Sequence, residues 1–222
     1  MILRTITLTI GSSRPGPNPA EELRELFAAQ FNEYARLHRQ DAAAFIHRYP
    51  VVQYRMIGTV PTVTGINEGA EFLRHISREN PEIRMGENTY HFVERDALIR
   101  EEEFGISDRA HFYEFVTPWL ALSQEQYRKF YTLKGKPARD AFVKKILTGA
   151  LQSMASSLND TVPRPITCEP NLHFQKDRFD GAGIMVFTGK FQADFMIPDL
   201  LGIGKSVSRG FGAVRQLKPK DG

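Results

Sequence analysis

The chain has 222 residues, 41% of them hydrophobic, and a formal net charge of +3 at neutral pH, which excludes a disordered chain and leaves room for one large domain or two small ones with real cores. No apolar run approaches the ~20 residues of a membrane span, and Met1 leads directly into a strand-like run where a secretory leader would show a basic then apolar pattern. A single cysteine, Cys168, excludes an internal disulfide and a multi-cysteine zinc site, so a cytoplasmic protein with no membrane partner is expected.

Thr5 to Thr9 alternates polar and apolar residues, as a half-buried strand does. A turn dense in Gly and Pro follows over residues 11–19. A helix is predicted from Pro19, with Glu21 and Glu22 near the positive end of its dipole and Leu23, Leu26, Phe27, Phe31, Tyr34 and Leu37 on one face. His38 falls near the end of that helix. Residues 45–58, rich in aromatic and β-branched side chains, read as a strand entered through Pro50. Val60 to Ile66 reads as the next strand, and Asn67 as the cap of a helix over 68–78 that Pro81 ends. Thr89 to Val93 completes a β-α-β-β-α-β order, the ferredoxin-like arrangement also used by RNA-recognition modules.

The acidic segment 94–107 reads as a connection. A second unit starts near Ala110 with a strand, followed by helices from Ser123 and Pro137 and strands over 166–174 and 183–195. A short broken helix over 197–203 and a last strand over 212–217 are expected after them. The order of elements makes this half a degenerate copy of the first, without a residue-level repeat. The predicted fold is α+β: two tandem ferredoxin-like domains, residues 1–107 and 108–222, the second carrying a glycine-rich loop.

That loop, Leu200 to Val214, reads LLGIGKSVSRGFGAV. Gly202 and Gly204 bracket Ile203, and Gly210 and Gly212 bracket Phe211. Between the pairs lie Lys205, Ser206, Ser208 and Arg209. Glycine lets another molecule approach the backbone, and a basic, hydroxyl-bearing insert suits a loop that wraps an anion. Ile203, Val207 and Phe211, spaced by four, are its apolar anchors. Gly204-Lys205-Ser206 resembles the end of a nucleotide-binding P-loop, but Asp199 stands where that motif needs a glycine. Charge is uneven elsewhere too. Residues 36–55 carry Arg36, Arg39, Arg48 and Arg55 against Asp41, and residues 201–222 carry five cations against Asp221. Brought together, these stretches would make one face for a polyanion.

His38 and His47 flank the predicted helix-to-strand turn. Cutting RNA without a metal needs a base for the 2′-hydroxyl, an acid for the departing 5′-oxygen and cations for the charge between. Two histidines amid Arg36, Arg39 and Arg48 supply all three, although a histidine at a helix end also serves simply to satisfy the helix dipole. Tyr49 and Tyr54 fit base stacking and core packing equally well. No pair of histidines has a metal-binding helical spacing with carboxylates nearby, so neither a metal nor another cofactor is expected.

The motif GIGKSVSRGFGAV resembles the C-terminal glycine-rich loop of the repeat-associated (RAMP) superfamily of CRISPR proteins. LHRQDAAAFIHRYPVVQYR, followed by GINEGAEFLRHI, resembles the N-terminal half of the CRISPR-associated endoribonuclease that processes guide-RNA precursor. The resemblance implies two ferredoxin-like domains with a basic cleft between them. It implies metal-independent cleavage of CRISPR repeat RNA in pre-crRNA, leaving 5′-hydroxyl and 2′,3′-cyclic phosphate ends. In similar relatives a helix-end His-x-His is common, with a tyrosine before Arg-Tyr-Pro. His38 matches the first histidine, Gln40 stands at the second, and His47 stands at the tyrosine. His38 and His47 are therefore the candidate acid–base pair. Arg36, Arg39, Arg48, Arg55, Gly202, Gly204, Lys205, Ser206, Ser208, Arg209, Gly210 and Gly212 are the candidate RNA contacts. The resemblance also brings a homodimer and a CRISPR effector complex as candidate assemblies. Two rival readings are a non-catalytic RAMP subunit that binds guide RNA without cutting it, and a small-molecule enzyme on the same scaffold.

Overall fold

A computed structural model describes residues 1–12, 49–79, 82–85, 88–93, 98–179 and 181–218, together with residues 24, 25, 27, 30 and 34. His38, His47, Arg36, Arg39 and Arg48 lie outside the described residues. The chain forms two compact units. One holds Ile2–Glu102 with Ser208–Gly210, and the other holds Glu103–Val207 and Phe211–Gly222 with Met1.

The N-terminal unit is built on β1 (Ile2–Ser12), β2 (Val52–Ile57), β3 (Val60–Ile66), β4 (Glu82–Met85), β5 (Asn88–Phe92) and β6 (Arg100–Glu103). Its sheet runs β2-β3-β1-β5-β4, with β6 also paired to β1. Strand β1 is antiparallel to β3, Thr7 opposite Thr64, and antiparallel to β5 near its end, Gly11 opposite His91. This is the ferredoxin-like order, extended at one edge by β4. The expected strands over 60–66 and 89–93 are β3 and β5. Strand β4 was not foreseen: its four residues alternate too briefly to signal a strand, yet they pair with β5 as a hairpin.

Helix α1 (Glu68–Glu79) places Ala70, Phe72, Leu73 and Ile76 toward the core. Asn67 starts it differently from the expected cap. Its φ is 49°, its carbonyl accepts from the Ala70 and Glu71 amides, and its side-chain oxygen accepts from the Arg4 amide in β1. The Glu71 carboxylate on the first turn meets both Arg4 and Arg74. The core gathers Ile6, Leu8, Val52, Tyr54, Val63, Phe72, Tyr90 and Phe92. Residues 24, 25, 27, 30 and 34 are helical, and two of their side chains belong to the predicted apolar face. Phe27 stacks on Tyr54 at 5.6 Å between centroids, and Tyr34 meets Phe72 edge-on at 5.4 Å.

The second unit follows the order β7 (Gly105–Phe115), α2 (Gln124–Thr132), α3 (Lys136–Ser157), β8 (Cys168–Phe179), β9 (Ala182–Met196) and β10 (Val214–Gln216). Its antiparallel sheet runs β10-β7-β9-β8, again the ferredoxin order. Ser123 caps α2 through a complete capping box with Gln126, and Pro137 enters the first turn of α3. No α-helix stands between β9 and β10. The expected broken helix over 197–203 is instead a turn and an isolated bridge, Gly202 to Ala213, followed by a single 3-10 turn, Val207–Arg209. Backbone with φ of 65° at Leu200 and 90° at Gly204 cannot continue a helix. The sheet packs Tyr113, Phe115, Phe187, Phe191 and Phe195 beneath the helices with Trp119. Tyr113 donates its hydroxyl hydrogen to the Phe195 carbonyl at 2.9 Å and accepts from the Ile197 amide at 3.1 Å. Cys168, at the start of β8, is buried with its Sγ 3.0 Å from the Thr148 hydroxyl. Among the described residues no helix is long and apolar enough to cross a membrane, which says nothing of a β-barrel.

Candidate functional site

The glycine-rich loop connects β9 to β10 and is held from below. Ile203 is fully buried and Val207 nearly so, as regularly spaced anchors require, while Phe211 is half-buried edge-on against Phe179 at 4.8 Å. The two arms of the loop lie on each other. The Ile203 amide donates to the Gly212 carbonyl at 2.9 Å, and the Val214 amide donates to the Leu201 carbonyl at 3.1 Å. The Gly212 amide reaches the Pro118 carbonyl at 2.8 Å, and the Ala213 amide reaches the Thr117 hydroxyl at 2.9 Å. Asp199, the residue that spoils the P-loop pattern, accepts from the Gln216 amide at 2.7 Å and so ties the entry of the loop to β10.

The glycines serve this self-packing. A β-carbon on Gly212 would run into the Ile203 carbonyl, and one on Gly202 would lie 2.5 Å from the Val207 Cγ1. Gly204 lies over the Trp119 indole. Gly210, within the N-terminal unit, faces the Tyr54 carbonyl and Arg55 of that same unit, with a β-carbon position 3.0 Å from the carbonyl oxygen. What comes close to these backbones is therefore the chain itself. The residues presented outward lie between the glycine pairs: Lys205 is exposed, while Ser206, Ser208 and Arg209 are half-buried. Ser206 takes a φ of 54° at this bend, and its carbonyl accepts from the Phe211 amide at 3.4 Å.

Tyr49 and Tyr54, which fit stacking and packing equally well in the sequence, and Arg55, a candidate RNA contact, all turn inward. Tyr49 and Tyr54 are buried, so core packing is their role in this arrangement. Arg55 is enclosed as well, with 2% of its surface exposed. One terminal nitrogen donates to the Gln53 side-chain oxygen at 2.7 Å, while Nε and the other terminal nitrogen have no hydrogen-bond partner among the described residues. Desolvation lowers its pKa to about 10, partly opposed by the nearby Tyr49. Arg55 stands in a basic stretch of the sequence, but four successive residues from Val52 to Arg55 are buried. The sequence reading also passed over residues 124–139, where Arg128, Lys129, Lys134, Lys136 and Arg139 face only Glu125, an excess of four positive charges. Among the described residues no three His, Cys, Asp or Glu side chains gather as metal ligands.

Comparison with known proteins decides the family. A model of the Cas6b N-terminal domain matches residues 1–103, and a model of the Cas6b C-terminal domain matches residues 105–217. The chain belongs to the Cas6b family. A crystal structure described as the CRISPR RNA processing endoribonuclease Cas6b is 28% identical, covers 98% of this chain and all of its own, and superposes with a TM-score of 0.76. A second Cas6b crystal structure, 26% identical with the same coverage, gives 0.77. An uncharacterized protein of Methanocaldococcus jannaschii is 32% identical over 140 residues, which are 62% of this chain and 93% of that protein. In this Cas6b chain the glycine-rich loop falls in the C-terminal domain match, and His38 and His47 fall in the N-terminal one.

Proposed function

We propose that this Cas6b-family chain is a CRISPR RNA-processing endoribonuclease that cuts repeat RNA in pre-crRNA without a metal ion. The observation that carries the reading is the pair of Cas6b domain matches spanning residues 1–103 and 105–217. Within that frame the residue types fit the chemistry. One of His38 and His47 removes the proton from the 2′-hydroxyl at the cut site. The freed oxygen attacks the adjacent phosphorus, a 2′,3′-cyclic phosphate forms, and the bond to the 5′-oxygen breaks. The other histidine gives that oxygen its proton, leaving a 5′-hydroxyl. Arg36, Arg39 and Arg48 stand within ten residues of one or both histidines and offer guanidinium groups to the charge that develops on the phosphate oxygens. Lys205, Arg209 and the Ser206 and Ser208 hydroxyls, raised on the loop between the glycine pairs, contact the RNA backbone.

The test is cleavage of end-labelled repeat RNA by purified protein in excess EDTA. The expected result is one cut, lost with His38→Ala and lost with a 2′-deoxy substitution at the cut site. Cutting that stops in EDTA, or that survives the 2′-deoxy substitution, overturns the mechanism. Tight binding without any cut would place the chain among non-catalytic RNA-binding subunits instead.

A further inference from the structure

The second unit holds a cavity of about 340 Å³ between the α2–α3 hairpin and β8. This is the small end of the range for ligand pockets, about 300–1,000 Å³, and suits one nucleotide better than a strand. Its floor and walls are apolar: Phe130 and Val143 from the helices, Leu172 and Phe187 from the sheet. Its mouth is not. Phe174 leaves 44% of its surface in solvent while its ring meets buried Phe130 edge-on at 5.2 Å. Arg139 lies with its guanidinium carbon 5.4 Å from the Phe130 ring centre, held there as its Nε donates to the Leu133 carbonyl at 3.3 Å. The two terminal nitrogens of Arg139 have no hydrogen-bond partner among the described residues. Lys136 stands beside it, paired with Asp140 at 3.1 Å in an exposed ion pair.

An exposed aromatic face, a fixed guanidinium with free donors and an ammonium together match a planar base attached to a phosphate. A purely apolar occupant would leave the terminal nitrogens of Arg139 unused, and the surrounding segment 124–140, with the cavity-lining Asp140 counted, carries an excess of three positive charges. We propose that this cavity takes one unpaired nucleotide of the RNA, its base against Phe174 and its phosphate at Arg139 and Lys136. The inference rests on the reading of the chain as an RNA-processing enzyme and adds a contact outside the glycine-rich loop and the two histidines.

The experiment uses the full chain and fluorescein-labelled repeat RNA carrying unpaired flanking nucleotides. Affinity is read by anisotropy, and contacts are read by short-wavelength UV cross-linking with peptide mapping. Phe174→Ala is expected to weaken binding about ten-fold and Phe174→Tyr to restore it, since the ring and not the residue is what stacks. Arg139→Gln is expected to weaken binding to a similar extent. Lys145→Gln, an exposed α3 cation that does not line the cavity, is expected to leave it unchanged. Wild-type cross-links are expected on the β8 peptide that includes Phe174, a readout that needs no variant to fold. Unchanged affinity in both Phe174→Ala and Arg139→Gln overturns the proposal. So does loss of self-association in Phe174→Ala with RNA binding intact, which would make the cavity a protein contact. If the wild type cuts repeat RNA while its cross-links avoid the cavity, only this inference falls. If it cross-links through Phe174 yet never cuts, the enzymatic reading falls and the nucleotide site stands.

Discussion

Gly204 lies directly over Trp119: a β-carbon there would collide with the indole Nε1 and sit 3.1 Å from Cδ1. Trp119 is fully buried, and its Nε1 has no hydrogen-bond partner among the described residues. It stacks on Phe115 at 5.3 Å with the rings nearly parallel, so it has nowhere to move. The lip of the loop therefore rests on the core of the second unit.

Gly204→Ala tests that support. The φ of 90° strains any side chain, and the added methyl must displace a packed indole. Together these should cost about 2–4 kcal/mol, read as a lower midpoint in urea unfolding. Gly149→Ala is the matched opposite. Gly149 is an exposed α3 residue with nothing within 4 Å of the added carbon, and the change should raise stability by about 0.5–1 kcal/mol. Equal effects of the two changes would contradict the loop geometry.

Arg55 separates stability from binding. A buried guanidinium with two nitrogens unpartnered among the described residues carries a desolvation cost that Gln53 and Tyr49 offset only in part, and replacing it with an apolar side chain of similar length removes that cost. Arg55→Met should raise unfolding free energy by about 1–3 kcal/mol at neutral pH. The sign with pH follows from a folded pKa lowered to about 10 from 12.5. Between those values the unfolded chain holds the proton that the folded one has released, so this group's penalty fades as pH rises through 10. The advantage of Arg55→Met should shrink accordingly. Repeat-RNA affinity unchanged in Arg55→Met would confirm that the residue serves the fold and not the RNA.

Tyr113 works with the opposite sign. Burial pushes its hydroxyl up to about 12, and the neutral form donates to the Phe195 carbonyl and accepts from the Ile197 amide. The stabilisation is fully present below pH 10 and is lost as pH climbs from 10 through 12. Tyr113→Phe strands both backbone groups and should cost about 1–3 kcal/mol at pH 7. It should also show a flatter stability profile above pH 10 than the wild type, measured by urea titration at stepped pH.

His38→Ala and His47→Ala should each lower the single-turnover cleavage rate by about 10²–10⁴ with repeat affinity within a few-fold of wild type. Gel-shift affinity and cleavage rate on the same RNA check both halves. A rate lost only in proportion to affinity would assign the histidines to binding.

Most strands of this fold are legible in the chain because alternation and β-branched runs report burial directly. Val60–Ile66 and the helix after Asn67 are cases where period and end signals agree. The misses have physical causes. Strand β4 is four residues long and owes its existence to pairing with β5, a tertiary fact. The absent helix before β10 is replaced by a loop that packs on Trp119 and is tied to Thr117 and Pro118, more than eighty residues away. Arg55 looked like surface because charge usually is, yet Val52 to Arg55 are buried in succession. The glycine motif reads as an anion-wrapping loop, and in the fold its glycines accommodate Trp119, Ile203 and Val207 while Lys205 is exposed, a packing role that spacing alone does not report. The Cas6b N-terminal match spans the histidine-bearing segment, which lies outside the described residues.

The packing of Cys168 against Thr148 has a practical side. It is the chain's sole thiol, and burial pushes its pKa up, so little thiolate meets an electrophile in solution. A cysteine introduced at an exposed position such as Glu125 would then be the first to take a maleimide dye. The native chain thus gives a quiet background for one-colour labelling at an introduced cysteine, and the proposed docking of RNA on the α2–α3 hairpin can be followed by fluorescence in real time without rebuilding the core.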